Sequence, residues 1–426
     1  MKIKIKALPY DQAMALPRPK RKKPMRPIFP LQLLIRGLAI LDMVPTRFSY
    51  TAEGMEKLRK KEPCLILMNH SCFMDMKIVS KIFFPRRYGV VCTTDGFIGK
   101  PWLMRLLGCI PTQKFVTDLH LIQDMKYLLK EKKTSVLMFP EASYSFDGTA
   151  TALPRKMGVL LKKLDVPVVT VITQGAFARD PLYNGLRKRK VTVSAKVTCL
   201  ASTREVRELS VAELDRRLNE AFSFDNFRWQ QEHQVPVTES FRADGLERIL
   251  YRCPHCGVEG KTQGKGITLT CLHCGQEYTL TEYGHLATKN NNGLFTHIPS
   301  WYAWQRGQVR QELENGTYRL DAAVDIYMVV DHKALYKVGK GRLIHDTNGF
   351  HLTGCHGKLS YTQGPLACYS LYADYHWYEI GDVICLGNGS EQYCCVPRGR
   401  VSVAKARLAT EELYKLKKKR GAPTTV

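Results

Sequence analysis

Residues 64–75 read Cys64-Leu65-Ile66-Leu67-Met68-Asn69-His70-Ser71-Cys72-Phe73-Met74-Asp75. The apolar run Cys64–Met68 has the length of a strand, and it leads straight into a histidine with an aspartate five residues on. A reactive side chain at a strand's end, just ahead of a helix, faces the crevice where α/β sheets bind ligands. If His70 sits ahead of that helix, Asp75 can accept from one ring nitrogen and fix the tautomer. The other nitrogen is then basic and can take a proton from an attacking hydroxyl. Such chemistry needs no covalent intermediate on the protein.

Working outward, short apolar runs alternate with helical patterns from about residue 28 to 225. Tyr88–Cys92, Ser135–Phe139, Val166–Ile172 and Val191–Cys199 read as further strands, and Asp118–Lys130 and Lys156–Lys163 as helices. A helix carrying Val206, Leu209, Leu214 and Leu218 closes the stretch. This alternation predicts an α/β domain with a mostly parallel sheet flanked by helices.

A histidine near an aspartate is more often structural than reactive, so the surroundings decide. Gly108-Cys109-Ile110-Pro111-Thr112-Gln113-Lys114 follows the first motif. Phe139-Pro140-Glu141-Ala142-Ser143-Tyr144-Ser145 then places an acid where another strand ends, and the strand from Val166-Pro167 comes last. With these four blocks in order, residues of roughly 45–225 resemble the glycerolipid acyltransferase family, of the lysophosphatidic-acid acyltransferase type.

The resemblance implies transfer of an acyl group from acyl-CoA or acyl carrier protein to a lysophospholipid hydroxyl, as in 1-acylglycerol 3-phosphate. It implies His70 as base and Asp75 as its orienting partner, with Glu141 and Ser143 in the acceptor-binding block. Lys114 falls where the family usually has an arginine for the acceptor phosphate, keeping the charge without the planar fork. The third block has Ala142-Ser143-Tyr144 where the family has Gly-Thr-Arg. One phosphate-binding arginine is therefore missing, and Arg155 and Lys156 are the nearby cations that could replace it. Cys72 inside the motif reads as a packing residue.

The chain has 426 residues, 64 Lys+Arg against 39 Asp+Glu, and a net charge of +25. A surface so basic suits nucleic acid, anionic lipid headgroups or an anionic substrate. No apolar run follows the lysines at the start, which argues against a secretory signal. Residues 1–27 read as a basic arm, including Arg18, Lys20, Arg21, Lys22, Lys23 and Arg26. Ile28–Val44 is apolar at helical spacing but broken by Pro30, Gln32, Arg36 and Asp42, so it should not cross a bilayer. It reads equally as a helix lying in the interface of an anionic membrane or as an amphipathic helix packed on its own domain. The expected location is cytoplasmic and peripheral, on the inner face of an anionic membrane.

Fourteen cysteines without a secretion signal point to reduced thiols. Cys253-Pro254-His255-Cys256-Gly257 and Cys271-Leu272-His273-Cys274-Gly275 are paired knuckles with the spacing of a zinc ribbon. Four thiolates fill a tetrahedral ion, which makes the zinc structural. Zinc ribbons also occur in nucleic-acid-binding proteins, but the charges around these knuckles nearly cancel, unlike a phosphate-tracking stripe. A third reading, a lipid-binding scaffold without catalysis, is opposed by the intact His70, Asp75 and Glu141.

The domain plan is a basic arm (1–27), an acyltransferase domain (28–225), a linker (226–250), the ribbon (251–282), a connector with a helix (283–324) and a β-rich domain (325–426). Ile298–Leu313 is the connector helix. Ile326–Val330, Gly349–Leu352, Trp377–Ile380 and Val383–Leu386 are expected strands of the last domain, and Val403–Leu416 its final helix. The pattern weakly resembles pleckstrin-homology or GRAM domains.

Overall fold

The computed structural model describes residues 3–116, 118–290 and 293–420. Met1, Lys2, Thr117, Asn291, Asn292 and the tail beyond Arg420 lie outside the described residues. Strands are numbered in chain order: β1 (Ile5–Ala7), then β2 (Ser49–Glu53), β3 (Leu65–Met68), β4 (Tyr88–Thr93), β5 (Cys109–Thr112), β6 (Ser135–Met138), β7 (Val168–Gln174) and β8 (Ser194–Ala201).

The seven strands from β2 to β8 form one sheet in the order β2-β8-β7-β3-β6-β4-β5. β7, β3, β6, β4 and β5 run parallel, while β8 turns antiparallel to β7 and carries β2 beside it. The sheet is thus mostly parallel, as the strand–helix alternation predicts. β3 lies in its middle with every side chain out of water. Leu65 and Leu67 belong to the core on one face, and Ile66 and Met68 to the core on the other. Alternate residues point to opposite faces, so an uninterrupted apolar run is what a strand covered on both sides requires. The covering helices include Asp75–Phe83, Leu119–Lys126 and Met157–Leu164.

A second, antiparallel sheet holds β9 (Thr262–Lys265), β10 (Thr268–Cys271), β11 (Glu277–Leu280) and β12 (Leu286–Ala287). It carries the paired cysteine knuckles. The helix Ile298–Glu314 follows. The β-rich C-terminal region then comprises β13 (Leu320–Val329), β14 (Leu335–Asp346), β15 (Gly349–Gly354), β16 (Leu359–Gln363), β17 (Tyr372–Trp377), β18 (Gly381–Gly387) and β19 (Gln392–Pro397), closed by the helix Val403–Arg420.

Four features differ from the sequence expectation. The arm is not uniformly free: β1 pairs in parallel with Leu335–Lys337 of β14, and the helix Tyr10–Met14 buries Ala13. Residues 226–250 are packed rather than linker-like, with Phe227, Ala243, Leu246, Ile249 and Leu250 buried. Tyr378 and Glu379 adopt left-handed backbone, so the apolar run Trp377–Ile380 turns where a strand was expected. One helix was expected across residues 206–218, but Ser210 caps a new one, leaving Thr203–Glu208 and Val211–Ala221.

Phe29–Met43 is helical. With the following turn it is, among the described residues, the one stretch long and apolar enough to cross a membrane by length and composition. Only 17% of that stretch is buried. Ala39 and Met43 of the helix pack against the domain, whereas its Leu33, Leu34, Leu38, Ile40 and Leu41 are exposed, as is Val44 just beyond it. Near its end, Asp42 is ion-paired with Lys77, Arg179 and Lys188.

Candidate active site

Because five strands run parallel, their C-terminal ends open on one edge of the sheet, and the loops leaving β3, β4, β5 and β6 meet there. His70 stands two residues past β3, just ahead of the helix that Asp75 begins. Its Nδ1 lies 2.9 Å from Asp75 Oδ2. The same carboxylate oxygen accepts from the backbone N–H of Ser71 at 2.9 Å and of Cys72 at 3.2 Å. Asp75 is 1% exposed, so these donors rather than water hold its charge. A carboxylate only accepts, so the His70 proton sits on Nδ1 and the lone pair on Nε2. Burial holds the His70 pKa below its ordinary 6.5; Asp75 opposes this and the Lys114 ammonium adds to it. The imidazole is therefore neutral at pH 7, the form a general base needs.

Two aromatic rings fix the imidazole plane. Phe139 stacks on it at 4.1 Å between centroids and Tyr144 at 3.9 Å. Phe73, 57% exposed, meets the Tyr144 ring edge-on at 6.1 Å. The His70 side chain keeps 19% of its surface open to solvent. Asn69 joins neighbouring strand ends: its Oδ1 accepts from Thr173 N at 2.8 Å, and its Nδ2 donates to Ser71 Oγ at 3.0 Å.

Glu141 differs from the acceptor-binding role expected of it. It is 1% exposed. One oxygen accepts from His70 N at 3.0 Å, and the other from Thr151 N at 2.7 Å and Thr151 Oγ1 at 2.9 Å. Burial pushes its pKa up to about 7 although these donors pull the other way. Ser145 N donates to His70 O at 3.1 Å, so the loop after β6 is tied twice to the His70 backbone. Ser143 is also buried, and its hydroxyl accepts from Arg407 of the C-terminal helix at 3.5 Å.

Lys114, just beyond β5, sets its Nζ 4.0 Å from the Tyr372 ring centroid, and its charge adds to the lowering of the His70 pKa. Arg155 and Lys156 do not join it. They are exposed ahead of the helix Met157–Leu164, with Arg155 5.4 Å from the Tyr414 ring centroid. Nothing places them against His70, Glu141 or Lys114. Cys72 is 1% exposed and burial raises its thiol pKa well above the ordinary value, which argues against a nucleophilic role.

The acyltransferase family model matches residues 49–174, the segment that holds β2 to β7 and this His70 loop. That segment is an acyltransferase-family domain. The match covers under a third of the chain, and no curated protein sequence matches. Among solved structures, the 1-acyl-sn-glycerophosphate acyltransferase PlsC from Thermotoga maritima is similar at 17% identity, over 45% of this chain and 79% of that one, with a TM-score of 0.35.

Three side chains at this candidate site leave no signal in the sequence. Tyr144 departs from the family pattern, but no spacing shows that its ring covers His70. Arg407 and Asp374 come from the C-terminal region, and no local pattern links them to residue 70.

Away from this edge, Cys253, Cys256, Cys271 and Cys274 put their Sγ atoms within 4.8 Å of one another and could hold a metal ion. Gly257 N donates to Cys253 O and Gly275 N to Cys271 O, both at 2.9 Å, closing two matching knuckles. Both glycines have positive φ, 72° and 73°, a backbone that a side chain disfavours.

Proposed function

We propose that this protein moves a fatty acyl group from a thioester, acyl-CoA or acyl carrier protein, to the hydroxyl of a lysophospholipid. The observation that carries the reading is the 2.9 Å contact between His70 Nδ1 and Asp75 Oδ2 within the acyltransferase-family domain. His70 Nε2 removes the proton from the acceptor hydroxyl as its oxygen attacks the thioester carbonyl carbon. The carbon–sulfur bond breaks, and the proton on Nε2 passes to the departing thiolate. Asp75 stabilises the transient imidazolium. Lys114 binds the acceptor phosphate, and Glu141 serves as a positioning residue through its hold on the His70 backbone. Phe73 offers an apolar rim for an acyl chain.

The lipid substrates suit a protein seated on an anionic membrane surface on its cytoplasmic side. The exposed leucines of Phe29–Met43 and the basic residues before that helix support such seating. The four cysteines suit a structural zinc. A tetrahedral ion with Zn–S bonds of about 2.3 Å sets sulfur atoms about 3.8 Å apart. The Cys253–Cys274 and Cys256–Cys271 separations are both 3.8 Å.

The test is acyl transfer by the full chain, with both thioester classes and several lysophospholipids in mixed micelles, read by lipid mass spectrometry. His70→Ala is expected to lower kcat about 10²–10⁴-fold, the range for loss of a general base. A His70→Ala protein as fast as the wild type would remove the mechanism.

A further inference from the structure

The C-terminal sheet packs onto the same sheet edge that carries His70. Tyr372 OH of β17 donates to Asp95 Oδ2 at 2.8 Å, and Trp377 Nε1 and Tyr378 OH reach the same oxygen at 3.3 Å. Asp95 follows β4 and is 3% exposed. Thr94 Oγ1 donates to Gln392 Oε1 at 3.1 Å, and Cys368 Sγ to Phe115 O at 3.5 Å. β17 is thereby fixed beside the Lys114 loop.

Residues two apart in a strand share a face, so Tyr372 and Asp374 look the same way. Lys114 Nζ lies 4.0 Å from the Tyr372 ring centroid. Lys114 forms no hydrogen bond or ion pair with any described residue. Asp374 accepts one hydrogen bond, from Tyr375 N to Oδ1 at 3.0 Å, and likewise forms no ion pair among the described residues. Burial pushes the Asp374 carboxyl up to about 6 while the Lys114 charge pulls it down, so the two groups sense each other without touching. Asp374 also acts on the Tyr144 phenol, and Lys114 on His70. A half-buried cation and a half-buried anion therefore flank the His70–Tyr144 pair, each without a counter-ion. Leaving such charges unpaired is costly.

The nearby cations offer no alternative. Tyr144 stands where a phosphate-binding arginine would help. Arg407, 3% exposed, is committed to Glu411 at 3.2 Å and to Tyr144 O at 3.2 Å. A phosphomonoester carries nearly two negative charges at pH 7. It would meet one ammonium and a repelling carboxylate. A phosphodiester carries one charge, which Lys114 alone can match.

We propose that the acceptor is a zwitterionic lysophospholipid of the lysophosphatidylethanolamine type, its phosphodiester bound by Lys114 and its primary ammonium by Asp374 of the C-terminal domain. The proposal rests on the acyltransferase reading above and narrows its substrate. The C-terminal domain then acts as a wall of the acceptor site, and discrimination comes as much from the charge that rejects a phosphomonoester as from the one that accepts an amine.

The experiment measures kcat/KM of the full chain for 1-acyl lysophosphatidate, lysophosphatidylglycerol and lysophosphatidylethanolamine in neutral-detergent micelles, with one acyl thioester. Wild type is expected to favour the ethanolamine acceptor by about tenfold or more, as for a charge pair worth roughly 1.4 kcal/mol. Asp374→Asn is expected to abolish that preference and to raise use of lysophosphatidate. Wild type needs no variant to be read, so a misfolded Asp374→Asn protein does not block the test. A wild type that prefers lysophosphatidate, or a folded Asp374→Asn protein with an unchanged acceptor ratio, overturns the proposal while the acyltransferase reading stands. Thioester left intact with every acceptor overturns both.

Discussion

Glu141 receives three hydrogen bonds and is 1% exposed, an arrangement that fixes what its replacement does. Its folded-state pKa of about 7 lies above the ordinary 4.5, so the folded protein holds a proton that the unfolded chain releases between these values. The stability from this group is complete below about pH 4.5 and is lost as pH rises through 7. Glu141→Gln cannot titrate, but an amide nitrogen must then face either His70 N–H or the Thr151 donors. One buried donor left unsatisfied costs about 1–3 kcal/mol. Urea midpoints from pH 5 to 8 are expected to show the variant well below wild type at pH 5, with the gap narrowing toward pH 8. A gap constant with pH would mean that Glu141 does not titrate there. At this scale the sequence shows what is contiguous: His70 and Asp75 meet because five residues of one chain segment turn from strand to helix. Tyr144 over His70, and Asp374 facing Lys114, depend on packing between segments far apart in the chain, which leaves no local pattern to read.

Among the elements, Phe29–Met43 has the clearest division of labour. Ala39 and Met43 are buried, and Asp42 anchors the helix: burial opposes its ionisation, yet Lys188, Lys77 and Arg179 hold its carboxyl far below the usual range. Five large apolar side chains remain on the outside. Burying one leucine in a membrane is worth about 1.5–3 kcal/mol. Leu34→Glu and Leu38→Glu together are expected to weaken binding to anionic vesicles by about 100-fold or more, the minimum from two such losses. Both residues are over half exposed, so the thermal midpoint should hold. Co-sedimentation with vesicles checks the first and calorimetry the second; unchanged partitioning would show that this face does not meet lipid. The helical spacing here is legible in the sequence because one stripe is apolar. Strand β2 is not, since all five residues are exposed and show no alternation. Trp377–Ile380 reads as a strand because aromatic and branched residues dominate it, but a bulge and two left-handed residues override that preference.

Across the whole molecule, the domain plan read from sequence understates how far the parts share one interior. A single buried apolar cluster takes in Phe146 and Phe177 near the seven-stranded sheet, Leu269 and Tyr278 from the small sheet with the cysteine knuckles, Trp301 from the connector helix, and Ile326 and Met328 from the C-terminal sheet. Arg252, next to the first knuckle, pairs with Glu312 of that helix at 2.8 Å. Knuckle spacing predicts a metal-binding module, but it does not predict that the small sheet beside the knuckles completes a core begun more than a hundred residues earlier. A structural ion in this position would stabilise more than its own four ligands, because apparent binding energies for such zinc are about 10–16 kcal/mol and become folding energy. Cys253→Ser with Cys256→Ser is expected to abolish zinc binding and lower the melting temperature of the entire protein in one cooperative transition, with acyl transfer lost in parallel. Calorimetry, a zinc assay and activity on the same samples check this. A ribbon that melts early while the acyltransferase transition stays in place would show that the shared core does not couple them. Coupling also bears on the proposed acceptor choice, because β17, which carries Asp374, belongs to the C-terminal sheet whose Ile326 and Met328 lie in that common interior.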